Sequence, residues 1–74
     1  MDEVLETIKP APDSHFRLVP CRRCRTNLVA YEKYKHPKGP RWRVVCYGCG
    51  AAVAPDYDAP RHEVQTIWNR RNKK

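Results

Sequence analysis

The chain contains no run of the ~18 apolar residues that a membrane helix needs. Its first ten residues, MDEVLETIKP, are acidic and lack the apolar stretch of a secretory signal. Membrane association is therefore not expected, and a reducing, cytoplasmic setting is the default. One Phe and 41% apolar residues leave little material for a large core in 74 residues. A chain this short usually needs a staple, either a metal or disulfides, to hold one small domain together. Catalytic patterning is also lacking. His15, His36 and His62 have no acidic or nucleophilic partner pattern that would suggest acid–base or covalent chemistry, so an enzyme is not expected.

Charge is plentiful and unevenly placed. Fifteen Lys and Arg face eight Asp and Glu, a formal net charge of +7. Residues 1–20 hold four acids and two bases, whereas residues 21–74 hold thirteen bases and four acids. A basic body suits an acidic partner, either nucleic acid or an acidic protein surface, and it also keeps a small protein soluble.

Proline and glycine divide the chain. Val4, Leu5 and Ile8 are spaced to line one face of a short helix, or the segment is a frayed tail. Three prolines make residues 10–20 an extended linker. Residues 26–34 (TNLVAYEKY) and 41–46 (RWRVVC) read as strands joined by a turn at 35–40 (KHPKGP), and residues 51–54 (AAVA) as a short third strand. Asp58 is placed to cap a helix, with Pro60 in its first turn. Val64, Ile67 and Trp68 then form one apolar stripe of a helix reaching about Asn72, with Trp68 as a core anchor. Domain boundaries follow: an N-terminal segment at 1–18 and a domain at 19–72.

The strongest signal is the cysteine spacing. Cys21-x2-Cys24 and Cys46-x2-Cys49 are two CxxC pairs separated by a hairpin-length insert. In a reducing compartment this pattern reads as a four-cysteine metal site. Each CxxC turn brings two sulfurs to one side of a tight loop, and two loops at the same end of a hairpin supply four thiolates to a tetrahedral ion, Zn²⁺. Iron takes the same ligand set and remains an alternative. A thioredoxin-like redox site would require a βαβ context, which is missing. A closed four-thiolate shell stabilises a fold and leaves no position for substrate. The predicted fold class is a small metal-stabilised α+β domain. It is a zinc ribbon of two knuckles on an antiparallel hairpin or three-stranded sheet, plus a C-terminal amphipathic helix. Gly50 after the second knuckle allows the positive φ such a turn needs, whereas Arg25 stands in that place after the first.

The candidate binding residues are basic. Arg22, Arg23 and Arg25 flank the first knuckle, where they either screen the dianionic metal centre or contact phosphate or an acidic partner. Lys33, Lys35, Lys38, Arg41 and Arg43 are interleaved with Tyr34 and Trp42 around the hairpin tip, a composition that suits phosphates and bases. Alternatively the tip lysines are a solvated turn, and Trp42 packs on the sheet. Arg70 and Arg71 close the helix.

Three segments together resemble the Lar-type restriction-alleviation family of small phage and prophage proteins. They are Val19-Pro20-Cys21-x-x-Cys24, Val44-Val45-Cys46-x-x-Cys49-Gly50-Ala51, and Val64-x-x-Ile67-Trp68-Asn69-Arg70-Arg71. The resemblance covers roughly residues 19–71. Arg22 and Arg25 depart from the proline and glycine of the family's first knuckle. The resemblance implies a cytoplasmic factor (host cytoplasm, if phage-encoded) that acts on a host protein complex, the Type I restriction–modification enzyme. The other readings are a nucleic-acid-binding ribbon and a transcription modulator acting on RNA polymerase.

Overall fold

The computed structural model describes residues 3–11 and 13–73. Strands β1 (Val4–Ile8), β2 (Val29–Tyr34), β3 (Arg41–Cys46) and β4 (Ala52–Val53) precede helix α1 (Arg61–Arg71). The strands form one antiparallel sheet in the order β1-β2-β3-β4. Sequence neighbours are thus sheet neighbours throughout, and the architecture is a small α+β fold. None of the described helices is long and apolar enough to cross a membrane.

The central hairpin follows from strand alternation. Val29 faces Cys46 and Tyr31 faces Val44 across β2 and β3, and Val44 faces Val53 across β3 and β4. These five residues are buried on one face of the sheet, where α1 packs Val64 and Trp68, four apart on one helical stripe, against them. The connecting turn closes at Gly39, whose φ of 116° is open to glycine without strain. His36 in this turn is half-buried, with its ring edge-on to Tyr34 at 6.4 Å.

On the opposite face the same alternation pairs Glu32 with Arg43 and Tyr34 with Arg41. Arg43 Nε donates to Glu32 at 2.9 Å, and its guanidinium lies 4.6 Å from the Tyr34 ring centre. The Tyr47 hydroxyl donates to the other oxygen of the Glu32 carboxylate. That bond raises the tyrosine's pKa, because ionising the phenol would remove the donor and place two negative charges together.

The N-terminal segment departs from expectation. Residues 4–8 are strand β1, not a short helix or a frayed tail, and they extend the sheet to four strands. Five residues cannot sustain a helix alone, whereas the open edge of β2 offers ready backbone partners to a sequence containing Val4, Thr7 and Ile8. The proline-rich stretch that follows is strapped to the helix. Gln65 Nε2 donates to the carbonyls of His15 and Arg17 at 2.8 and 2.9 Å, and Tyr31 donates to Phe16 O at 2.6 Å. Arg61 reinforces the strap, with its guanidinium 4.0 Å from the Phe16 ring centre and 5.5 Å from that of Trp42.

The helix begins two residues later than its sequence signals suggested. Pro60 is the N-cap and no side chain caps the helix. Asp58 lies two positions too early to reach the first free amides. Glu63 in the first turn and Arg70 and Arg71 in the last complement the helix dipole.

Trp68 is the anchor, 1% exposed, with Nε1 donating to Val19 O at 2.9 Å. Trp68→Ala should cost about 3–5 kcal/mol, enough to unfold a small domain, whereas Trp68→Phe should cost roughly 1 kcal/mol more than its change in volume, for the lost hydrogen bond. Urea denaturation of the metal-loaded variants measures both.

Candidate metal centre

The two CxxC segments fold alike. Cys21 O accepts from Arg25 N at 2.7 Å, and Cys46 O accepts from Gly50 N at 2.9 Å. Each turn is closed one residue later, by Cys21 N donating to Thr26 O and Cys46 N donating to Ala51 O, at 3.1 and 2.7 Å. Both turns end on a positive φ, 79° at Gly50 and 56° at Arg25. Glycine adopts that conformation freely, while a side-chain-bearing residue such as arginine is strained there.

These turns bring the sulfurs together. Cys24 and Cys46 Sγ are 3.4 Å apart, Cys21 and Cys49 3.5 Å, and Cys46 and Cys49 3.7 Å. All four lie within 4.8 Å of one another, positioned to hold a metal ion, and none forms a disulfide. Cys21 and Cys46 are buried in the core, whereas Cys24 and Cys49 are exposed on the rim of the cluster. Backbone amides of Cys24 and Arg23 directed at Cys21 outweigh its burial and lower its thiol to about 6. Cys24, although exposed as a residue, is pushed up to about 12 by loss of solvent at its sulfur and by the bond it shares with Cys46. Thiols lose their protons when they bind a metal, so metal binding at such a cluster depends on pH.

Gly48 was not singled out in the sequence, yet it sets how closely the knuckles approach. A Cβ there would lie 2.7 Å from Thr26 Cγ2 and 2.9 Å from Cys24 Sγ. Only the tripeptide Tyr47-Gly48-Cys49 hinted at this, and it does not show which residue opposes the glycine. Asn72 was also missed as a contact. Its Oδ1 accepts from Arg22 N at 2.9 Å and joins the helix end to the first knuckle.

The ten basic candidates divide into groups. Arg22, Arg23 and Arg25 are exposed on the first knuckle, and Arg70 and Arg71 are exposed at the end of α1. The Arg22–Asn72 bond brings these two sets into one region. Lys35 and Lys38 are exposed in the β2–β3 turn, at the opposite end of β2 from the knuckle. Lys33 lies along Trp42, with Nζ 5.8 Å from the ring centre, and Trp42 is partly buried against the core. Arg41 and Arg43 correct the expectation of one continuous basic hairpin. Arg41 is buried at 8% exposure, and Arg43 is engaged with Glu32 and Tyr34. Strand alternation turns both onto the sheet face that carries Tyr34 and Glu32.

Comparison with protein-family models, curated proteins and solved structures gives no match to this chain.

Gly48→Ala should weaken metal binding about tenfold or more, as disturbance of a ligand's immediate support does, read by competition with a chromophoric chelator. Arg25→Gly should do the opposite to the fold. Relief of left-handed strain, partly offset by a more flexible unfolded chain, gives a net gain of about 0.5–1 kcal/mol, visible in the denaturation midpoint of the metal-loaded protein.

Proposed function

We propose that this chain is a zinc ribbon whose metal is structural and whose work is to bind another macromolecule. The observation that carries the reading is the complete four-cysteine cluster, built by two matching turns at one end of the sheet. A tetrahedron of thiolates ~2.3 Å from zinc has sulfur–sulfur edges of roughly 3.8 Å. Three of the six sulfur–sulfur spacings, at 3.4–3.7 Å, are close to that size, and the other three lie within 4.8 Å. Cys21, Cys24, Cys46 and Cys49 would hold the ion, which ties the turns together. Four thiolates fill the coordination shell, so no position remains for substrate or an activated water. A non-enzymatic role follows.

The resemblance to Lar-type restriction-alleviation proteins supports a particular kind of target. Its motifs meet in space: Trp68 donates to Val19 O, while Val19 N donates to Asn69 Oδ1 at 3.0 Å. Trp68 and Asn69 thereby hold the residue that leads into the first knuckle. Arg70 and Arg71, the rest of that motif, are exposed and available to a partner. The target proposed is the host Type I restriction–modification complex, engaged in the cytoplasm. The nucleic-acid reading rested chiefly on the hairpin, and the diversion of Arg41 and Arg43 into the sheet's opposite face removes much of that surface.

The tagged protein should capture a restriction-complex subunit from bacterial lysate in the presence of nuclease. Its expression should also raise the plating of unmodified phage on a restricting host. Unchanged plating together with no captured subunit would refute this target, and material lost on nuclease treatment would indicate nucleic acid instead.

A further inference from the structure

A groove of about 680 Å³ runs between the first knuckle and the end of α1. Val19, Pro20 and Cys21 contribute its apolar part, and Arg22, Arg25 and Lys73 contribute its cations. No carboxylate lines it, and the sequence has no Asp or Glu in residues 14–31 or 64–74. Asn72, which also lines the groove, fixes the relation of its two walls through its bond to Arg22 N.

Arg25 is the informative residue. The second knuckle performs the same turn with Gly50, at no conformational cost. The first knuckle carries a strained arginine instead, and that arginine lines the groove. Strain retained where an unstrained residue would serve points to a use for the side chain. Here the side chain adds a cation beside Arg22 and Lys73.

We propose that this groove is the partner-binding surface and that it takes an acidic protein segment carrying apolar side chains. The proposal deepens the interaction-module reading and rests on it, but it does not depend on which complex is the target. Carboxylates on such a segment would pair with Arg22, Arg25 and Lys73, where guanidinium groups can form two-pronged hydrogen bonds. Its apolar side chains would cover Val19 and Pro20. A phosphodiester backbone matches the cations alone. Single-stranded nucleic acid would also need rings to stack on, and the exposed aromatics Tyr47 and Tyr57 do not line the groove.

The test uses the zinc-loaded full chain and three fluorescent probes: a peptide alternating Glu with Leu, an all-Glu peptide of equal charge, and a DNA duplex. Fluorescence anisotropy should show the Glu/Leu peptide binding most tightly. Arg25→Gly should weaken that binding about fivefold or more, the loss of one charged contact, while the denaturation midpoint rises. Arg22→Ala should weaken it similarly without disturbing the backbone bond to Asn72. Binding unchanged in both variants, or no binding of the Glu/Leu peptide, would overturn the proposal. Tighter binding of the all-Glu peptide would refute the apolar component, and tighter binding of the duplex would assign the groove to nucleic acid. Peptide binding without capture of a restriction subunit would leave the groove in place and discard only the named target.

Discussion

The meeting of four sulfurs at one end of the sheet is the constraint on which the rest of this structure depends. Cys21 and Cys46 are not appended to the core. They are two of its buried members, packed with Val29, Tyr31, Val44, Val64 and Trp68. A domain of this size buries too little apolar surface to be robust without a further tie. The cysteine cluster joins a loop between β1 and β2 to the end of β3. Trp68 and Asn69 complete the arrangement by fixing Val19 just ahead of Cys21. The helix therefore positions a cysteine-bearing turn as well as covering the sheet.

The two turns share a backbone plan and differ in their side chains. The second has Gly48 and Gly50, the first allowing close approach to Cys24 and the second a relaxed positive φ. The corresponding residues of the first turn are Arg23 and Arg25. The glycine-bearing turn is suited to packing, and the arginine-bearing turn presents charge beside the helix end. On the proposed reading, this division of labour lets one turn pack closely against the cluster while the other, which shares Cys21 with the groove, also meets a partner.

Much of the fold was legible in local patterns. The limits of β3 follow directly from RWRVVC, and the stripe of Val64 and Trp68 marks the buried side of α1. The cluster of four cysteines was legible from spacing alone, because a CxxC turn leaves few geometries for its sulfurs. What depended on distant partners was not legible. Val4–Ile8 became a strand only because the edge of β2 was free, a fact about topology rather than local preference. The basic hairpin looked continuous in sequence, but pairing across β2 and β3 places Arg41 and Arg43 on the sheet face that carries Tyr34 and Glu32. The groove joins residues some fifty positions apart through Asn72, and no local pattern marks that contact.

Zinc K-edge X-ray absorption on the purified protein tests the central claim most directly, because it reports both the metal and its ligands. The account predicts one shell of four sulfurs at about 2.3 Å with no lighter ligand. A shell containing nitrogen or oxygen, or a protein that is folded with no zinc bound, would contradict it.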